Sequence, residues 1–290
     1  MRYAIFFTLS LFVAAGVAQA DSPSSPSPKR ALVDTHVHYD KDIWESIPPQ
    51  SAIQVLRELG IRRAWVSSTP DEGTRRLYAA APEFVVPVLR PYRYSGHVDT
   101  WAHDETIIDD LKQRLKQHRY AAIGEFHLAG DEAKSPVVRE VVALAQQHQL
   151  ILHVHSDARS IEILYQINPD ALILWAHAGF EKSDVVKRML DTYPTLWADL
   201  SERRNIFPDG QFVDSWRELL IEHADRFTLG VDTWSVQIWM FVEKVVSWER
   251  DLLASLPDEV ATRIASDNAE RLLRHSGWNK TNKRNRDQTH

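Results

Sequence analysis

Cysteine is missing from all 290 residues. No disulfide can brace the chain and no N-terminal cysteine can carry a lipid, so stability has to come from a large buried core. The part read as folded also lacks any lysine- or arginine-rich block, and the formal net charge is −6. Such a balance makes a poor nucleic-acid binder. No G-x-G-x-x-G follows any strand-like run, which argues against a dinucleotide site. Nor does any apolar run reach the ~20 residues of a spanning helix. The longest, Ile5 to Val17, follows Arg2 and precedes Ala18-Gln19-Ala20, an A-x-A cleavage pattern. Residues 1–20 therefore read as a signal peptide cleaved after Ala20, which predicts a periplasmic or secreted protein with no stable membrane span.

What is present is a regular alternation. Beyond a Ser/Pro-rich spacer (21–30) and ahead of a polar tail expected to be disordered (277–290), residues 31–276 read as one domain. Eight strand-like runs begin near Ala31, Ile61, Phe84, Ala121, Leu150, Ala171, Thr195 and Phe227, and helical patterns separate them. The third run contains Pro87, which argues against a central strand. Strands alternating with helices imply right-handed βαβ units and a parallel sheet. Eight units in this length predict an α/β fold, a single-domain (β/α)8 TIM barrel with an extra C-terminal helix.

The first run, A-L-V-D-T-H-V-H-Y over Ala31 to Tyr39, carries the first chemical signal. Alternate residues of a strand share a face, so Asp34, His36 and His38 point the same way. The two histidine Cα atoms then stand about 7 Å apart, close enough for both imidazoles to converge on one divalent ion. A pair of core histidines satisfied by hydrogen bonds is the plainer reading. The remaining strand ends weigh against it, because they carry Glu125 and His127, His153 and His155, His177, Asp199 and Asp232. A parallel barrel delivers all such ends to one rim, where active sites are built. Repetition over six of eight runs points to a metal site.

These segments resemble the amidohydrolase superfamily, specifically its amidohydrolase-related (amidohydrolase 2) branch. The similarity runs from Leu32 to Leu273. It rests on VDTHVH in the first run, IGE in the fourth, HVHS in the fifth, WAHAG in the sixth, GVDTW in the eighth and the closing IASDNAERLL. The resemblance implies that His36, His38, His155 and Asp232 ligate a divalent metal, Zn2+ being the ion suited to imidazole and carboxylate donors. His153, a layer deeper, is expected to play a supporting or core role. His177 is implied either as ligand of a second metal or as the group that orients the attacking water. Asp232 is implied to take a proton from that water and deliver it to the leaving group. Glu125 sits where some members place a bridging carboxylate, which predicts one tight site with a second optional. The plainer role for Glu125 is to orient a ligand histidine.

The activity so implied is metal-dependent hydrolysis of a small-molecule ester, lactone, amide or phosphoester. Three alternatives accompany it: non-oxidative decarboxylation on the same scaffold, a TatD-like nuclease suggested by the Gly124-Glu125 pair, and a barrel that holds metal or ligand without turnover. Arg90, Arg93, Ser201, Arg203 and Trp234 fall near the rim and are candidates for substrate contact. Asp199, with Ser201, is expected to contact substrate or to fix Asp232. The chain's oligomeric state is not legible in these patterns.

Overall fold

A computed structural model describes residues 30–278. The expected signal peptide, and the spacer apart from Arg30, lie outside the described residues, as does the tail beyond 278. Eight strands alternate with helices: β1 (Leu32–His38), β2 (Ile61–Ser67), β3 (Val85–Leu89), β4 (Ala122–Leu128), β5 (Ile151–Ser156), β6 (Ile173–Trp175), β7 (Leu196–Asp199) and β8 (Phe227–Thr228). They lie in sequence order in one parallel sheet. A bridge from Asp34 to Leu229 joins β1 to the end of β8, and Thr35 N–H donates to the Leu229 carbonyl at 2.9 Å. The expected (β/α)8 barrel is therefore what forms. Among the described residues no helix is long and apolar enough to cross a membrane.

Closure depends on a close approach at Gly230. A Cβ there would lie 2.5 Å from the Cβ of His36. Gly230→Ala should thus press directly on β1, costing about 1–3 kcal/mol through overpacking. A lowered thermal midpoint is expected, and an unchanged one would mean that the two strands are free to part.

Several boundaries differ from the sequence expectation, each for a local reason. Pro87 lies inside β3, between β2 and β4. It is tolerated because the β3–β4 ladder starts at Val88 and Ala122, so the missing N–H faces chain that precedes β4. The sixth and eighth strands are much shorter than the runs 171–179 and 227–233 suggest. Both stop before residues with positive φ: 55° at His177 and 56° at Asp232. Ser183 does not cap the following helix; Lys182 precedes it, and Ser183 Oγ donates to Ser215 Oγ at 2.9 Å. At the end of the domain, one π turn (Arg263–Asp267) joins two short helices where one continuous helix was expected.

Two buried clusters hold the barrel together. The larger fills the space between strands and surrounding helices. The smaller takes Val33, Trp65, Val88, Ala122, Ile151, Leu174 and Trp197, one from each of β1 to β7, against Leu272 and Leu273 of the last helix. Trp278 joins it, only 7% exposed. The indole packs on Tyr78, and Arg119 lies over it. The packed body thus reaches two residues into the stretch read as a polar tail, because this large ring gains more by burial than exposure allows. Arg30, at the end of the expected spacer, is tied down by its ion pair with Asp258.

Candidate metal centre

Every donor named in the sequence reaches one end of the barrel, but the donors divide into layers. Deepest is Asp199 at the end of β7, fully buried. Its Oδ2 lies 3.2 Å from His36 Nδ1 and 3.1 Å from His153 Nε2. Its Oδ1 accepts the backbone N–H groups of His177 and Ser201, each at 3.0 Å, and the Ser201 hydroxyl. Asp199 thus anchors His36 and does not touch Asp232. Burial, then the neighbouring His36, push the His153 pKa down to about 4. His153 is therefore neutral and donates to Asp199, a supporting role consistent with its depth.

Above this layer stand His36 and His38. Asp199 accepts the Nδ1–H of His36, and the Ser67 carbonyl, 3.2 Å away, accepts that of His38. Both Nε2 lone pairs are left facing one another at 3.1 Å. Asp232 Oδ1 is 3.5 Å from the first and 3.2 Å from the second, and Glu125 Oε2 repeats those distances. Asp232 Oδ1 is buried without a hydrogen-bond partner. Four donors held tetrahedrally at 2.0–2.1 Å from an ion stand about 3.4 Å apart. His36, His38 and Asp232 fit that spacing, and Glu125 Oε2 stands at the same distances from both histidines.

The other oxygens of the same two carboxylates face a second group. Glu125 Oε1 is 2.9 Å from His155 Nδ1 and 3.6 Å from His177 Nε2, and Asp232 Oδ2 is 3.7 Å from His177 Nε2. His177 Nδ1 is bound to the Ser201 carbonyl at 3.0 Å, so its Nε2 too is a free donor. His155 therefore stands with Glu125, His127 and His177, apart from His36, His38 and Asp232.

The charges explain what the cluster requires. Burial opposes ionisation of Glu125, Asp199 and Asp232, yet the surrounding histidines, His36 first, hold all three below their ordinary range. Burial likewise disfavours a charged His36, but Asp232, Glu125 and Asp199 outweigh it and raise its pKa well above normal. Arg90 is the one guanidinium present, held to the Glu125 carbonyl and Oε2 at 3.0 Å each. Without an ion the histidines themselves carry the compensating charge, a demand that a divalent cation bound to their neutral rings would meet instead. Within β1, burial pushes Asp34 up to about 7, and its Oδ1 accepts from the N–H groups of His36 and Val231.

Local structure places these groups. In β4 the register with β5 slips between Gly124 and Phe126, so Glu125 is an extra residue turned into the barrel. After β6, His177, Ala178 and Gly179 are all left-handed, and Phe180 follows at φ 53°. Gly179 packs where a Cβ would meet the Trp175 ring at 2.2 Å. Such conformations cost energy in non-glycine residues and persist only where surroundings enforce them. Arg203 enforces them here: it donates to the His177 carbonyl at 3.0 Å and the Glu181 carbonyl at 2.8 Å, and stacks on Trp216.

The rim candidates fare unevenly. Arg203 is buried behind the turn and Ser201 beneath His36 and His177, so neither lies at the rim. Their strand-end position suggested exposure, but the short β7 turns both inward. Arg93 pairs with Asp104 and Thr106, away from the opening. Arg90 and Trp234 do line it. The opening is a cavity of about 480 Å³ bounded by His38, Arg90, Glu125, His127, His155, His177, Phe180, Glu202, Asp232 and Trp234. Phe180 and Glu202 were not singled out from the sequence, since neither belongs to a periodic pattern.

If Asp199 fixes the orientation of His36, Asp199→Asn should weaken metal binding by about 10- to 100-fold. Competition titration with a chelator measures this, and an unchanged affinity would remove Asp199 from the support of the site.

No family model and no curated protein matches the chain. Solved structures do. An uncharacterised TIM-barrel protein from Bordetella bronchiseptica is 12% identical with a TM-score of 0.61, covering 85% of this chain and 99% of its own. A candidate 2-pyrone-4,6-dicarboxylic acid hydrolase from Pseudomonas putida is 14% identical with a TM-score of 0.60, covering 85% and 98%. A zinc-bound amidohydrolase from Burkholderia multivorans is 13% identical with a TM-score of 0.53, covering 84% and 99%. The likeness is one of fold: over almost the whole of those chains, this protein is similar to TIM barrels that include amidohydrolase structures.

Proposed function

We propose that the protein is a metal-dependent hydrolase of the amidohydrolase type, acting on a small-molecule ester, lactone, amide or phosphoester. One observation carries the reading: the two oxygens of Glu125 face two separate sets of histidine donors. Two ions would share such a carboxylate, the first held by His36, His38 and Asp232, the second by His155 and His177, which both face Glu125 Oε1. Divalent ions, Zn2+ above all, lower the pKa of a ligated water to about 7 and polarise a substrate oxygen.

The rest of the chemistry belongs to the chain. Asp232, beside both groups, accepts the proton of the attacking water and returns it to the leaving oxygen or nitrogen. His177, fixed by Ser201 and Asp199, orients that water. Arg90 holds Glu125 in place. Export through the 1–20 leader remains part of the reading and rests on the sequence pattern alone.

The test is turnover by zinc-loaded protein over a panel of esters, lactones, amides and phosphoesters. Hydrolysis predicts an acid–alcohol or acid–amine pair. Release of CO2 from a carboxylic acid panel would favour decarboxylation instead, and no turnover at full metal loading would favour a binding protein.

A further inference from the structure

The wall of the cavity carries a second message, about what the substrate looks like away from the reacting bond. Of the lining residues, Arg90 is the one permanent cation. Its guanidinium is already engaged: Nε and one Nη hold Glu125, while the other Nη lies 3.6 Å from Asp40 Oδ2, and the group sits 4.9 Å over the Tyr92 ring. Recognition of a substrate carboxylate relies on an uncommitted guanidinium or ammonium. The lining offers none, and it adds the carboxylate of Glu202. A carboxylate remote from the metal donors would meet like charge here.

What the wall does offer is two aromatic faces. Phe180 is 53% exposed and Trp234 58%, both unusual for such large apolar groups. Each is delivered by the turn that delivers a donor: Phe180 three residues after His177, Trp234 two after Asp232. Phe180 stacks on the His177 ring at 4.6 Å and 20° between planes, so its ring is held in register with the donors. The Trp234 N–H donates to the Asp232 carbonyl at 2.9 Å, which ties its backbone to the same site. Holding a bulky residue at positive φ, as at Phe180, is costly, and here the left-handed backbone sets an exposed ring at the mouth.

We infer that the pocket selects an uncharged substrate with a flat apolar group, taken between Phe180 and Trp234, and rejects one that carries a carboxylate remote from the scissile bond. The inference rests on the hydrolase reading for the word substrate, but the selection itself is a property of binding.

Two ketones that water cannot hydrolyse separate the issues: acetophenone and 4-acetylbenzoate, titrated into zinc-loaded protein and followed by ligand-observed NMR. Acetophenone is expected to bind about tenfold or more tightly than 4-acetylbenzoate. Trp234→Ala, and Phe180→Gly, which keeps the left-handed backbone available, should each weaken acetophenone binding several-fold while zinc content stays unchanged. Equal or tighter binding of 4-acetylbenzoate overturns the inference. So does the absence of binding by either ketone, or acetophenone binding that is indifferent to both substitutions. Parallel assay of phenyl acetate keeps the two readings distinct: the expected ketone preference without turnover leaves the selection standing and removes the hydrolase.

Discussion

His36→Ala is expected to abolish turnover and to lower bound metal, and Asp232→Asn to do the same to a smaller extent in metal. The reasons differ. His36 Nε2 faces His38, Asp232 and Glu125 at 3.1–3.5 Å, so its removal takes one donor from the set that would hold the first ion. It also leaves the Asp199 carboxylate, buried beneath it, without the Nδ1 partner 3.2 Å away. Asp232→Asn keeps the shape but removes both a charge and a base. Loss of a positioned base alone costs about 10²- to 10⁴-fold in rate, and loss of charge weakens the ion as well. Metal analysis beside a rate measurement separates the two. Unchanged metal content in both variants would remove His36 and Asp232 as ligands.

Glu125 should set the number of ions. Purified protein loaded with zinc is expected to hold close to two equivalents, and Glu125→Ala close to one. The retained ion is predicted at His36, His38 and Asp232, which keep three of their four donors. The lost ion is the one at His155 and His177, whose nearest carboxylate oxygen is Glu125 Oε1. Activity should fall by at least 10²-fold, because the second ion and the fixed orientation of the first go together. A single equivalent in the unmodified protein, unchanged by Glu125→Ala, would return Glu125 to the role of orienting a histidine. The substitution also frees Arg90, whose guanidinium loses the carboxylate it now holds at 3.0 Å. If the pocket's rejection of a remote carboxylate comes from that engagement, Glu125→Ala should bind 4-acetylbenzoate more tightly than the parent does.

The division between what was legible and what was not follows the range of the forces involved. The period-two alternation of β1 is local, so His36 and His38 could be placed on one face from the sequence, and so could the alternation of strand and helix that makes a barrel. Charged residues ending strand after strand are also a local signal, and they meet at one rim because parallel topology leaves them nowhere else to go. Three features are not local. Glu125 turns inward through a register slip against β5, which is decided by the partner strand. His177 and Asp232 leave their strands through left-handed residues, held by Arg203 from β7's end in one case and by the His36 carbonyl in the other. Asp199, placed by the sequence beside Asp232 or substrate, lies instead under His36.

Thus the sequence by itself determined the barrel, the end at which chemistry is built and the residue types that build it. Only the tertiary structure decided the pairing: which oxygen of Glu125 faces which histidines, which arginine is committed and which buried, and which aromatic rings stand open at the mouth. Those depend on contacts between residues far apart in the chain, where no spacing rule reaches and where packing across the barrel sets every distance.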